Sequence, residues 1–235
     1  MLTSPKEYLL DGIKKIGLEI DSYKIDKLIK YFYQMIEYNS HTNLTAIRED
    51  MEIIEKHFLD SLLLQKYIDP NAKNAIDIGT GAGFPGMVLS IVNPSINFLL
   101  LDSINKKTRF LEEVKRDLAL SNVDIVTARA EDYIIKNREK FSLGFCRGVS
   151  KLNIILEYML PFLKINGIFL PQKIDDSEVS LSANALNILK GRVKNIYNLE
   201  LPFSHNKRII IEIEKTGLTP IKYPRNAGIA IKKSL

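Results

Sequence analysis

Ala75-Ile-Asp-Ile-Gly-Thr-Gly-Ala-Gly-Phe-Pro-Gly86 is the stretch on which the fold of this chain turns. A short apolar run ending at Ile78 reads as a strand, and glycines follow at 79, 81 and 83. Residues without a Cβ permit positive φ and let backbone approach a ligand closely. Met87 to Val92 then reads as a helix, with Pro85 near a first-turn position where its missing N–H costs little. A strand that feeds a glycine loop and a helix is the opening βα unit of an α/β sheet, whose ligands sit beyond the carboxyl ends of its strands. Gly81, Gly83 and Gly86 also spell G-x-G-x-x-G, a dinucleotide pattern that is weak by itself.

Outward from this unit the alternation continues. Strands are predicted over residues 97–101, 123–128, 141–146 and 167–171, and helices over 106–118, 153–163 and 178–189. Such alternation calls for a parallel sheet. Two closing strands, 194–201 and 208–214, have no helix between them and make an antiparallel ending. The fold class is α/β and Rossmann-like: a seven-stranded, mostly parallel sheet with helices on both faces, spanning residues 73–217.

Residues 1–72 read as an N-terminal helical extension packed on that core. Ile25, Leu28, Ile29, Phe32, Met35 and Ile36 recur at three- and four-residue steps, with Asp21 or Ser22 available as N-cap. A second amphipathic segment covers residues 51–68, and a loop rich in Asn, Ser and Thr separates the two.

At 235 residues and 46% hydrophobic composition the chain can bury a full core. No apolar run approaches the roughly 18 residues that cross a bilayer, and "MLTSPKEYLLDG" lacks the basic-then-apolar order of a signal peptide. A cytoplasmic protein with no membrane partner is expected. A lone cysteine, Cys146, excludes an intrachain disulfide. Three scattered histidines (His41, His57, His205) argue against a metal site. The net charge is +5, and the basic tail, residues 218–235, carries Lys222, Arg225, Lys232 and Lys233 in "KYPRNAGIAIKKSL" with no acidic side chain. Such a tail suits an anionic polymer through counterion release; a solvated tail that aids solubility explains the charge equally well.

Asp102 closes the second strand roughly 20 residues beyond the loop, the spacing of a carboxylate that holds ribose hydroxyls. NAD enzymes and S-adenosylmethionine (AdoMet) enzymes share that layout. The order Asp77-Ile-Gly-Thr-Gly-Ala-Gly83 resembles motif I of the class I AdoMet-dependent methyltransferases. The third strand leads into Ala130-Glu131-Asp132, where those enzymes border adenine, although an N-cap or solvated turn accounts for the acids as well. For Asp77 the plain reading is a strand-end carboxylate that binds the loop's own N–H groups.

Longer runs narrow the resemblance. Asn43-Leu-Thr45, "HFLDS" at 57–61, "DIGTGAGFPG", "LLDSINKKTRFL" at 100–111, "CRGVSKL" at 146–152 and the basic tail are similar to the small-subunit ribosomal RNA methyltransferase G family, also called GidB, across nearly the whole chain. That resemblance implies transfer of a methyl group from AdoMet, leaving S-adenosylhomocysteine, to N7 of one guanine in the helix-18 loop of 16S rRNA. It implies a monomer acting on a ribosomal particle or assembly intermediate. It assigns cofactor contacts to Gly79, Phe84, Ala130, Glu131 and Arg147, with Asp102, Ser103 and Ile104 near the ribose and Gly81 and Gly83 completing the loop. Gly148 stands where the family has Ala, and Ile174 where it has Gly. A methyltransferase of another RNA or of a small molecule, or a non-catalytic RNA-binding assembly factor, remains compatible with the same fold.

Guanine N7 carries a lone pair and no proton, so its methylation needs alignment more than a general base, and no catalytic residue is assigned. Cys146 is expected to be a buried inert thiol. His57 and Asp60, three apart on one helical face, are expected to pair with each other or cap a loop. Arg147, Lys173, Arg208 and Arg225 are the candidate RNA contacts. Removal of the residues after Thr219 is expected to weaken RNA binding with little change in AdoMet affinity.

Overall fold

A computed structural model describes residues 4–226 and 228–235. Its strands are β1 (Asn74–Ile78), β2 (Asn97–Asp102), β3 (Val123–Thr127), β4 (Phe141–Arg147), β5 (Leu163–Lys173), β6 (Gly191–Glu200) and β7 (Lys207–Lys215). They form one sheet in the order β3-β2-β1-β4-β5-β7-β6. β1 to β5 pair in parallel, and β7 lies antiparallel between β5 and β6. Strand order reverses between β1 and β4, which opens a crevice at their carboxyl ends.

The alternation of side chains along each strand divides the core in two. Ala75, Phe98, Leu100, Phe145 and Ile210 face one layer, while Ile76, Ile78, Leu99, Leu101 and Ile211 face the other. The first layer holds α1 (Pro5–Lys15), α2 (Ser22–Thr42) and a continuous helical stretch made of α3 (Asp50–Ile53), a π-helical turn (Ile54–Leu59), α4 (Asp60–Leu62) and a 3-10 turn (Leu63–Tyr67). α5 (Gly86–Val92) and α6 (Asn105–Asp117) complete it. The second layer draws on α7 (Ala130–Tyr133), α8 (Leu152–Met159), α9 (Ser177–Leu181) and α10 (Ala183–Leu189), with a short α11 (Ile229–Lys232) near the C-terminus.

Leu9, Phe32, Phe58 and Leu62 share one core with Met87, Leu89 and Phe98, so the N-terminal helices are half of a layer. Asp21 caps α2, accepting from Lys24 N–H at 3.0 Å. α2 continues through the polar residues 37–42 to Thr42, beyond the apolar periodicity. Tyr38 packs against Phe110 at 4.9 Å, and the Ser40 and Thr42 hydroxyls fold back on Glu37 O and Tyr38 O; tertiary packing outweighs weak propensity there.

Candidate active site

β1 delivers the chain to Gly79, Gly81 and Gly83 at φ of +68°, +62° and +100°. Gly79 N–H donates to Leu101 O at 2.8 Å, which staples the loop to the end of β2. A Cβ on Gly79 would lie 2.6 Å from Val149 Cγ2, so the loop packs directly on the segment after β4. Gly81 N–H donates to Asp102 Oδ2 and Ile104 N–H to Asp102 Oδ1, both at 2.9 Å. Gly83 faces inward: a Cβ would sit 2.4 Å from the Tyr31 hydroxyl, which donates to Ala82 O.

Asp77 decides between the two ligand classes. Its Oδ2 accepts Gly86 N–H at 2.8 Å, and Met87 N–H donates to Gly83 O at 2.8 Å. The start of α5, where a dinucleotide would seat its pyrophosphate, already holds a buried carboxyl. A Cβ on Gly86 would meet Leu100 Cδ2 at 2.4 Å and Asp77 Oδ2 at 2.7 Å, so this glycine serves packing. Burial pushes the Asp77 carboxyl up to about 7, against the Thr80 side chain and the Gly86 N–H, which favour its charged form.

A cavity of about 240 Å³ opens beyond β1, β2 and β3. Gly79, Asp102, Ser103, Ala130 and Glu131, five of the candidate cofactor contacts, line it. Ile78, Leu101 and Ile155 supply an apolar wall suited to a flat ring. Its charged side chains are Asp102, Glu131 and Arg129, a formal excess of one negative charge that favours a cationic nucleoside over a phosphate. Two backbone N–H groups fix Asp102 and leave lone pairs free for hydroxyl donors. The structure thus fits a nucleoside bearing a sulfonium.

Other expected contacts lie elsewhere. Ile104, just before α6, is partly exposed and does not line this cavity. Phe84 is buried beneath the loop, stacked on His57 with centroids 4.6 Å apart and planes inclined by 12°. Val149, Tyr158, Gly228 and Ile231 line the cavity unforeseen. Val149 could have been reached from its place just past a strand end; Tyr158 and the two tail residues carry no such signal.

Arg147, at the end of β4, joins Phe84 of the glycine loop to the N-terminal helices. It donates to Asp60 Oδ2 at 3.2 Å, Lys56 O at 3.1 Å and His57 Nδ1 at 3.1 Å, and its guanidinium lies 5.4 Å from the centre of the Phe84 ring. Burial and the Arg147 cation push His57 down to about 3. The neutral ring accepts at Nδ1, so Nε2 carries the hydrogen toward Thr45 Oγ1 at 2.9 Å. Asp60 also receives Arg208 Nε at 3.0 and 3.1 Å. His57 and Asp60 therefore hold Arg147 between them, in place of the mutual pairing or loop cap that their spacing suggested. His57 belongs to the π-helical turn and Asp60 follows it; such turns recur at functional sites.

A second cavity, about 380 Å³, opens beyond β4 and β5. Arg147, Lys173 and Arg208 line it together with Asp60, Asp175 and Glu178, so its formal charges sum to zero. Lys173 donates to Glu178 Oε2 at 2.8 Å and Ser150 O at 2.7 Å. Gly148 sits at φ +66° with no atom within 4 Å of where a Cβ would stand, and Ile174 is largely exposed on the cavity's edge. Cys146 is buried, and burial pushes its thiol up to about 12.

Arg225 is apart from this cluster. It pairs with Glu157 Oε2 at 2.6 Å, on the layer behind the cofactor cavity. All four candidate RNA cations are thus ion-paired, three of them around one cavity and the fourth in a docked tail.

Residues 24–208 match the GidB family, described as rRNA small subunit methyltransferase G. The ribosomal RNA small subunit methyltransferase G of Fusobacterium nucleatum is 55% identical over 231 residues, covering 98% of this chain and 100% of that one. Its counterpart from Acetivibrio thermocellus is 42% identical, covering 98% and 96%. Among solved structures, M. jannaschii TYW2 in complex with AdoMet superposes with a TM-score of 0.57 at 13% identity, over 72% of this chain and 79% of that one. A SAM-dependent methyltransferase from Aquifex aeolicus gives 0.55 at 16%, over 70% and 93%. Those two likenesses establish the sheet and its helices as a methyltransferase fold, and the match across residues 24–208, with full-length relatives at such identity, shows that the chain belongs to the rRNA small subunit methyltransferase G family.

Proposed function

We propose that this protein transfers the methyl group of AdoMet to N7 of a guanine in 16S rRNA, in the helix-18 loop, as a cytoplasmic monomer acting on a small-subunit particle. The observation that carries the reading is that residues 147–149 wall two cavities at once: Val149 lines the one beside Asp102, and Arg147 and Gly148 line the one beside Asp60. Donor and acceptor sites lie side by side at the switch point of the sheet.

Bound AdoMet supplies an electrophilic methyl on a positive sulfur. Asp102 would hold the ribose hydroxyls, and the apolar wall of Ile78, Leu101 and Ile155 beside the Gly79 loop would take the adenine. The N7–carbon bond forms as the sulfur–carbon bond breaks; the electron pair of the broken bond stays on sulfur and the positive charge passes to the purine. No proton moves, and the neighbouring side chains agree with that. His57 is neutral with both nitrogens engaged, and Cys146 is a buried thiol. The charge-balanced cavity around Arg147 and Asp60 receives a base that turns cationic without opposing it by a net positive field. The protein aligns N7 with the methyl group and excludes water.

The test is mass-spectrometric mapping of modified nucleosides in 16S rRNA from cells with and without this protein. Loss of 7-methylguanosine from the helix-18 loop is expected; an unchanged level there overturns the proposal.

A further inference from the structure

The C-terminal segment is anchored far more firmly than a solubilising tail requires. Thr219 N–H donates to Glu139 Oε1 at 3.2 Å, and Thr219 Oγ1 to Leu189 O at 3.0 Å. The Arg138 guanidinium donates to Thr219 O at 3.0 Å and to Tyr223 O at 2.6 Å, and the Tyr223 ring is buried in the second core layer. Arg225 then meets Glu157 in three ways: its backbone N–H and its Nε reach Oε1 at 2.8 and 2.9 Å, and Nη2 reaches Oε2 at 2.6 Å. The Glu157 side chain is wholly buried. A buried carboxylate needs its partner, and a planar guanidinium fixes it in one geometry.

Beyond this latch, Gly228 at φ +77° opens α11, Ala230 is buried, and Gly228 and Ile231 line the cavity that holds Asp102 and Glu131. Tyr158, which follows Glu157 on α8, lines the same cavity. One helix therefore presents the latch on one residue and the cavity wall on the next. Ile231 is 66% exposed, so an apolar side chain stands at the rim of a nucleoside-sized cavity with most of its surface open to a ligand.

We propose that the C-terminal segment is a wall of the cofactor site, with Ile231 packing on bound AdoMet and Glu157, through Arg225, acting as the positioning residue. This rests on AdoMet occupying the cavity beyond β1 to β3. Cofactor binding and docking of the segment are then reciprocally linked: each stabilises the other by the same factor. Removal of the residues after Thr219 impairs AdoMet binding directly, contrary to the separable RNA-gripping tail that charge alone suggested.

The test uses the full-length protein and five variants, Ile231→Ala, Arg225→Met, Arg225→Lys, Glu157→Gln and Asp102→Ala, with calorimetry of AdoMet and S-adenosylhomocysteine and melting of each ligand-free variant. Ile231→Ala is expected to weaken AdoMet about threefold, from lost apolar contact, with an unchanged ligand-free melt. Arg225→Met and Glu157→Gln are expected to weaken it at least about tenfold through loss of the latch. Arg225→Lys, which keeps the charge and loses the fork, falls between. S-adenosylhomocysteine is expected to slow tryptic cleavage after Lys232 and Lys233 in the unsubstituted protein and not in Asp102→Ala. Should the latch variants fail to fold, Ile231→Ala and the cleavage rates decide. AdoMet binding within twofold of normal in Ile231→Ala, with unprotected cleavage, overturns the wall while Asp102→Ala still loses binding. Normal binding in Asp102→Ala shows instead that the cofactor lies elsewhere, and overturns the placement on which the wall depends.

Discussion

Asp77 and His57 are both buried beside the glycine loop, and their titration changes stability in opposite directions. Burial raises the Asp77 carboxyl from its ordinary 3.8 to about 7. Between those values the unfolded chain has released a proton that the folded chain keeps, so this residue's contribution falls as pH rises from about 4 to about 7 and stays low above it. Its size is on the order of 4 kcal/mol at 1.36 kcal/mol per pH unit. His57 does the reverse: its folded value is lowered from 6.5 to about 3, so its contribution is complete above 6.5 and is lost as pH falls toward 3. The two slopes offset each other between about pH 4 and 6.5. Asp77→Asn removes one of them. Urea unfolding of that variant is expected to show stability falling steadily on acidification below pH 6.5, and a stability gain over the unsubstituted protein that grows from pH 4 to pH 7. A constant offset from the buried amide N–H groups leaves this slope untouched. A difference between the two proteins that is flat from pH 4 to 8 would show that Asp77 does not titrate in this window.

The glycine loop shows how far an element can be read before its neighbours are known. Gly79, Gly81, Gly83 and Gly86 look alike in sequence, and the strand, the loop and the helix after them were all legible from spacing. Their separate duties were not, because those depend on partners remote in the chain: Gly83 on Tyr31 in α2, Gly86 on Leu100 in β2 and Asp77 in β1, and Gly79 on Val149 beyond β4. Asp102, Ser103, Ala130 and Glu131, which line one cavity, could be picked out as candidates because an α/β sheet places ligands at strand ends, a rule that needs no partner. The surroundings of Phe84 were not legible, because its ring lies against His57 from the N-terminal helices and Arg147 from the end of β4, both remote in the chain. Substitution separates the glycines. Gly83→Ala and Gly86→Ala put a methyl 2.4 Å from a hydroxyl or a core methyl and are expected to cost about 1 to 3 kcal/mol each by overpacking. Gly148→Ala meets no atom within 4 Å, so only its left-handed backbone is opposed, at about 1 kcal/mol. Melting of the three purified variants checks the ranking; a Gly148→Ala protein less stable than the other two contradicts it.

At the scale of the molecule, the helices before β1 and the C-terminal segment flank the sheet from opposite layers. The first supplies His57 and Asp60 to Arg147, and the second supplies Gly228 and Ile231 to the cavity beside Asp102. A sheet alone would leave both cavities without a wall, which is why the charge pattern of the tail could suggest a partner and still miss its position. Ligand choice is likewise a property of the assembled site. The cavity's net negative lining and the carboxyl at the start of α5 both oppose a pyrophosphate, whereas a nucleoside with a positive sulfur meets neither obstacle. A ligand that binds only the folded state at about 100 times its Kd adds about 2.7 kcal/mol, and for a chain of this size each kcal/mol raises the melting temperature by about 2 to 4 °C. AdoMet at that excess is therefore expected to raise the midpoint by about 5 to 10 °C, with S-adenosylhomocysteine close behind because it keeps the ribose and adenine. NAD at the same concentration is expected to leave the midpoint in place, because its pyrophosphate must displace Asp77 from Gly86 N–H. A shift with NAD equal to that with AdoMet would mean that the start of α5 is open after all, and that the twelve residues from Ala75 to Gly86 form a dinucleotide loop.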